Sequence, residues 1–333
     1  MEKIAVDFDS AYTNIYKLGS GVVLSEPTVA AISTSSKHEI KAYGVEASKM
    51  IGKTAENSKI VFPVFEGEIV NEKVAGGLLQ SFFGKIGVRG LLSNICAVVS
   101  LPCGMSSGSI EKYDRVLKNS GVSKIIYVEA PLLSALGQHA PLSDSIPCFV
   151  VDMAGGTTNV AAVTTDGVIA GVSVNFGNNK IITDIIDYIA EVYGLQIGIL
   201  TAERLKNEIG SLDDSDGLST IINGRDIESG APKSIKVRAI DVNLPIKRYY
   251  DRIAEIAMTV IVKLPPEVSA EVRRSGIYVS GRASKVYGLE SYYLKKFDMP
   301  VHVSENPEYS VALGGGMALG HAGLLNKISL KIN

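Results

Sequence analysis

VVDMAGGTTNV (Val150–Val160) is an apolar strand that ends in an aspartate and enters a tight turn of glycines and hydroxyl side chains. AVDFDSAYT (Ala5–Thr13) has the same form, and the two aspartates, Asp7 and Asp152, lie 145 positions apart. Such a turn presents backbone N–H groups to phosphate oxygens and holds a carboxylate near a bound Mg²⁺. Each stretch alone is also a good hairpin turn. Their duplication at domain-sized separation favours a two-lobed protein that grips a nucleotide from both sides.

The rest of the chain follows that division. The first part alternates short β-like runs (Lys3–Phe8, Asn14–Leu18, Val22–Ser25, Val29–Ser33), which suggests an antiparallel meander. Helical periodicity over Val74–Phe83 and Ser109–Ser120, strands at Ile95–Leu101 and Lys124–Val128, and a helix from Pro131 to about Gln138 then predict a mixed sheet with helical cover. The pattern restarts at Cys148, with strands to Val174 and helices at Ile181–Tyr193 and Thr201–Ile209. An acidic turn and strands up to Leu244 follow, then a helix from Pro245 to about Leu264, the strand Gly276–Ser280, and a helix after the glycine run 314–316. The fold class is α/β, with a plan that occurs twice.

Composition narrows the function. At 333 residues the chain is long enough for about two domains. With 33 Lys and Arg against 35 Asp and Glu, no basic field or stripe favours nucleic acid. No apolar run approaches the ~18–20 residues of a membrane span. MEKIAVDF enters a strand directly rather than a leader, so a cytoplasmic protein is expected. Cys96, Cys103 and Cys148 sit in apolar runs without metal or redox spacing and are expected to be buried thiols. The four histidines are too scattered to form a ligand set.

Seven segments carry a resemblance: LSEPTVAAI (24–32), YGVEASKMIGKT (43–54), FEGEIVN (65–71), DMAGGTT (152–158), TAERLKNEIGS (201–211), KLPPEVSAEV (263–272) and ALGGGMAL (312–319). In order and spacing the chain resembles the MreB family of bacterial actins, within the actin, sugar kinase and DnaK ATPase superfamily. The resemblance implies an actin-like two-domain fold, with duplicated mixed sheets and helices around an interdomain nucleotide cleft. Domain I would cover 1–138, with a small subdomain at about 30–75. Domain II would cover 139–333, with an inserted subdomain at about 178–245 and a C-terminal helix packing back toward domain I. ATP and Mg²⁺ are the implied cofactors, with the metal beside Asp7 and Asp152. Asp7, Ser10 and Ala11 would lie in the first phosphate loop and Asp152, Gly155, Gly156, Thr157 and Thr158 in the second. Glu203, Lys206, Gly281 and Arg282 would lie beside the nucleoside. The implied function is a head-to-tail cytoskeletal filament, as single or paired protofilaments, serving cell shape or organisation at the inner face of the cell membrane.

The departures from the family cluster in that site. Where the family's first loop has a glycine, the chain has Asp9, whose charge would oppose a polyphosphate by about 1 kcal/mol at ~4 Å in water and about 4 kcal/mol at an effective dielectric near 20. The water-positioning glutamate of the family's EEP motif becomes Ala130, in Glu129-Ala130-Pro131. Glu129, one residue earlier, points to the opposite face of a strand and could replace it only on a rotated backbone. Asp152, Thr157 and Glu129 are the remaining candidates for catalysis, so the expected enzyme is at most a weak ATPase. Ala154, Arg282 and Ala283, and Asn179 also replace family glycines or an acid. The alternative is a nucleotide-independent scaffold, or a partner of an active MreB paralogue. A small-molecule kinase would need a substrate-side catalytic aspartate, and no such residue can be placed.

The resemblance implies membrane contact as well. In GKIGVRGLLSN (84–94), Ile86, Val88, Leu91 and Leu92 lie among Lys85 and Arg89, a pattern suited either to a shallow anchor or to packing on the subdomain. Tyr249 and Tyr250 are candidates for a lateral filament contact or for the core.

Overall fold

The computed structural model describes residues 1–35, 39–53, 57–88, 94–213 and 217–331. Two five-stranded sheets organise it. The first contains β1 (Glu2–Phe8), β2 (Tyr12–Lys17), β3 (Gly21–Pro27), β4 (Ile95–Leu101) and β5 (Val122–Glu129), in the order β5-β4-β1-β2-β3. The second contains β6 (Cys148–Met153), β7 (Thr158–Thr164), β8 (Gly167–Val174), β9 (Ile277–Ser280) and β10 (Val301–Val303), in the order β10-β9-β6-β7-β8. Strand for strand the orders match: an antiparallel meander on one side of the central strand, and two parallel strands on the other.

The helices that cover the sheets include α1 (Glu72–Lys85), α2 (Ser107–Asn119), α3 (Ala130–Gly137), α4 (Asn178–Tyr193), α5 (Ile199–Ile209), α6 (Ala239–Val262) and α7 (Ser310–Gly320). Strand alternation sorts side chains into layers. Ile4 and Val6 of β1 pack with Leu78 and Phe82 of α1 and with Tyr113 and Val116 of α2. Ala5, Val98 and Val128 face the other way, where they share one core with α3, α7 and the second sheet's Val150, Ala161 and Val163. The outer face of the second sheet packs Phe149 and Val151 against Ile181 and Ile185 of α4 and Ile246 and Tyr249 of α6.

Several expectations change in three dimensions. The fourth meander strand, Ala30–Ser33, leaves the first sheet and centres a separate three-stranded sheet with Ile40–Tyr43 and Ser58–Val61. Helix α6 begins at Ala239 rather than Pro245, because the Asp241 carboxylate caps the start upstream, accepting from the Arg238 backbone amide at 3.3 Å and from the Arg238 guanidinium. Pro245 therefore sits inside the helix at the cost of one backbone hydrogen bond. The glycine run 314–316 lies within α7 rather than before it, for reasons of packing taken up in the Discussion.

Tyr249 and Tyr250 are fully buried, in an aromatic cluster with Phe176 and Tyr293, and so are core residues and not a lateral contact. Val88 is only 1% exposed and belongs to the first sheet's outer core, while Ile86 is half-buried against the same cluster. Val88 is thus unavailable as a membrane anchor, because burial in the subdomain has taken its surface; Arg89, Leu91 and Leu92 lie outside the described residues. Lys85 is ion-paired with Glu26. Cys96, Cys103 and Cys148 are buried free thiols, and burial pushes Cys103 and Cys148 up to about 12.

Candidate functional site

The two sheets point equivalent carboxylates at one region. Asp7, near the end of β1, stands in register with Asn14 on β2, whose Nδ2 donates to Asp7 Oδ2 at 3.2 Å. Ser100 on parallel β4 donates to Asp7 Oδ1 at 2.8 Å. The second sheet repeats the arrangement: Asp152 on β6 is in register with Asn159 on β7, whose Nδ2 donates to Oδ2 at 3.3 Å. Ser280 on parallel β9 donates to Asp152 Oδ1 at 2.8 Å. Asn14 and Asn159 are 145 positions apart, the separation of the aspartates. The sequence reading singled out neither the asparagines nor the serines, although an Asn seven residues after each Asp was visible in the chain.

Both carboxyls are pushed up, Asp7 to about 7 and Asp152 to about 6, chiefly because burial disfavours the charged form. Asp9 adds to both shifts, and the Ser and Asn donors oppose them. The folded chain therefore keeps protons that the unfolded chain has lost above about pH 3.8. The stability contributed is fully present below that value and is lost as pH rises through 6 and 7. In metal-free buffer the thermal midpoint should fall between pH 5 and pH 7.5, and Asp7→Asn should flatten that slope in a fluorimetric melt. A midpoint that rises over this window would contradict the assignment.

Asp9 crosses between the two turns. Its Oδ2 accepts from the Gly155 amide at 2.7 Å and the Ala11 amide at 3.3 Å, and its Oδ1 accepts from the Gly156 amide at 3.4 Å. Burial pushes its carboxyl up, against the pull of the backbone donors. Because its hydrogen bonds come only from N–H donors, the geometry suits the ionised form. A Cβ on Gly155 would come within 2.3 Å of both Asp9 Oδ2 and the Ala11 Cβ, so only glycine permits this approach.

Three cavities lie around these residues, and a fourth lies beside Lys206. One of about 30 Å³ is lined by Asp7, Asp9, Asp152, Gly155, Gly281 and Arg282. Another of about 30 Å³ is lined by Asp7, Asp9, Ala130, Asp152, Thr157 and others. A third, of about 310 Å³, meets Ser10, Ala11, Tyr12, Asn178, Glu203 and Arg282. The largest, of about 670 Å³, runs past Lys206, Gly210, Lys285 and Tyr287. Arg282 stacks its guanidinium on the Tyr12 ring, 3.5 Å from the centroid, where the first and third cavities meet. Lys206 is 3% exposed and pulled down to about 8, mainly by burial, with Glu203 opposing.

The structure thus gathers Asp7, Asp152, Gly155, Thr157, Gly281 and Arg282 about the two small cavities. It places Ser10, Ala11 and Glu203 at the third and Lys206 at the fourth. The Ser10 hydroxyl accepts from the Gly67 amide at 3.1 Å. Thr158 is buried and donates to the Phe176 carbonyl at 2.6 Å. Glu129 is aimed elsewhere, its Oε1 accepting from the Gly104 amide at 3.0 Å. Among the described residues, no group of three or more His, Cys, Asp or Glu is arranged to hold a metal ion.

Paired sheets of one topology, with an aspartate-bearing turn from each facing the other, define an actin-like fold. MreB5 of Spiroplasma citri, solved with AMPPNP, superposes with a TM-score of 0.91 at 26% identity, covering 98% of each chain. A MamK filament structure shares the fold, with a TM-score of 0.78 at 19% identity, covering 96% of this chain and 99% of that one. The MreB/Mbl protein family model matches residues 1–327, and the chain belongs to that family. Among its relatives, the cell shape-determining protein Mbl of Bacillus subtilis (strain 168) is 30% identical over 98% of each chain. The cell shape-determining protein MreB of Escherichia coli (strain K12) is 30% identical over 95% of this chain and 92% of its own.

Proposed function

We propose that this chain is a bacterial actin homologue that polymerises head to tail into cytoskeletal filaments serving cell shape, with a nucleotide site that has lost most of its catalytic equipment. The observation that carries this reading is the cross-sheet pairing of the Asp7 and Asp152 turns. Whole-length kinship with proteins named for cell-shape determination supports it, as does a structural neighbour seen as a double helical filament. Neighbours solved with AMPPNP and with ADP support a nucleotide ligand. In this reading the chain divides at about residue 138 into two domains, with small subdomains at about 30–75 and 178–245.

The residues fit part of the expected ligand. Asp7 and Asp152 offer the hard oxygen ligands that Mg²⁺ takes together with water and phosphate. The cavity of about 670 Å³ beside Lys206 has room for a nucleoside. At the turn amides a polyphosphate does not fit: they already bind Asp9, and the two adjoining cavities of about 30 Å³ are each about the size of one water. Ala130 brings no polar group to the cavity that it shares with Asp7 and Asp152.

A second reading, a nucleotide-independent scaffold that works alone or beside an MreB paralogue, is favoured by the same Asp9 contact. Sedimentation with and without ATP–Mg²⁺, with phosphate release followed in parallel, tests both readings. Pelleting without nucleotide and without phosphate release supports the scaffold, and nucleotide-dependent pelleting supports a working switch. A chain that never pellets overturns polymerisation. Location at the inner face of the membrane belongs to the family role, and co-sedimentation with anionic lipid vesicles checks it. Among the described residues no helix is long and apolar enough to cross a membrane.

A further inference from the structure

We propose that Asp9 is a built-in anion that occupies the phosphate-binding amides, so that the cleft accepts a nucleoside in preference to a nucleoside polyphosphate and its two turns are held together without ATP. This rests on the reading of the cleft as a nucleotide site. The carboxylate accepts from the amides of Gly155, Gly156 and Ala11, which come from both turns. Those are the N–H groups that a glycine-rich turn offers to an anionic ligand. Asp9 lies on the first turn and Gly155 and Gly156 on the second, so one side chain bridges segments 146 and 147 positions apart.

At those amides the geometry leaves a phosphate no equivalent place. The two cavities flanking Asp9 are about 30 Å³ each, whereas the cavity beside Lys206 is about 670 Å³. A polyphosphate must therefore displace a carboxylate that is covalently part of the chain and meet its charge. A nucleoside has no anion to place and meets no such competitor. The same contact replaces the cross-link that a bound phosphate would make between the turns, and the second alternative under the proposed function would follow from it.

The test is isothermal titration of the full chain, as wild type, Asp9→Asn and Asp9→Gly, with adenosine, ADP–Mg²⁺ and ATP–Mg²⁺. Wild type should bind adenosine at least as tightly as ATP–Mg²⁺. Asp9→Gly should bind ATP–Mg²⁺ about 10²-fold more tightly than wild type, since it frees amide donors for the phosphate oxygens. Its adenosine affinity should change by less than about 3-fold, because that ligand makes no use of those amides. Wild type that binds ATP–Mg²⁺ tenfold more tightly than adenosine overturns the proposal, as does an Asp9→Gly chain with unchanged ATP affinity. If no variant binds either ligand, the nucleotide reading itself falls.

Amide hydrogen exchange on nucleotide-free wild type gives a readout that needs no variant to fold. Gly155 and Gly156 should exchange slowly, and rapid exchange there would overturn the bridge.

Discussion

Replacing Gly314 by alanine should destabilise the chain by about 3 kcal/mol, the upper range for forcing extra volume into a close-packed interior. Spread over the unfolding entropy of a chain this long, that lowers the thermal midpoint by about 4 °C. Helix α7 crosses α3 in the core between the two sheets. A Cβ on Gly314 would stand 1.8 Å from the Leu133 carbonyl oxygen, and one on Gly137 would stand 1.9 Å from the Ser310 carbonyl oxygen. These are backbone atoms of paired helices, so relief requires moving a helix rather than rotating a side chain. The next two residues are confined by side chains, Gly315 by the Ala5 Cβ at 2.6 Å and Gly316 by the Tyr16 ring at 2.4 Å. Gly320, on the same helix, has open space around its Cβ position, so Gly320→Ala should be neutral or slightly stabilising. Circular dichroism melts of the two variants check the contrast, and equal midpoints would refute it.

That crossing also explains why the glycine run reads as a break in the sequence. Three consecutive glycines lower helix propensity, and nothing local in the chain announces the opposing carbonyls. Pro245 misleads for a related reason: proline is favoured at a helix start, and the true start is set by the Asp241 carboxylate, which caps the Arg238 amide seven residues before Pro245. Val88 reads either as an anchor or as a packing residue, because a short apolar loop has the same composition whether it faces lipid or core. The duplicated plan was legible, because the strand–aspartate–turn pattern is local and occurs twice. The donors to Asp7 and Asp152 were half legible: the asparagines follow at fixed spacing, but Ser100 and Ser280 reach the site only through parallel strand pairing. The role of Asp9 was not legible. The sequence made it an obstacle to phosphate; only the folded chain shows its carboxylate bonded to the opposite turn.

The largest change in rate is expected from the pair Asp9→Gly and Ala130→Glu. Ala130 opens α3 and lines the small cavity that also meets Asp7, Asp152 and Thr157. This is the position to which the family resemblance assigns the water-positioning glutamate. Glu129 does not take its place, since its carboxylate is held by the Gly104 amide and successive strand residues face opposite ways. A positioned acid–base or orienting group is worth about 10²–10⁴ in rate. In Asp9→Gly chains, adding Ala130→Glu should raise ATP–Mg²⁺-dependent phosphate release by at least about 10². Ala130→Glu alone should leave release at the wild-type level, because Asp9 still holds the turn amides and a cavity of about 30 Å³ cannot take a glutamate side chain together with a water. Single-turnover phosphate release on the four chains separates the two contributions. Activity in Ala130→Glu alone would mean that polyphosphate reaches the site past Asp9, and the absence of a single group, rather than a blocked phosphate site, would then account for the lost hydrolysis.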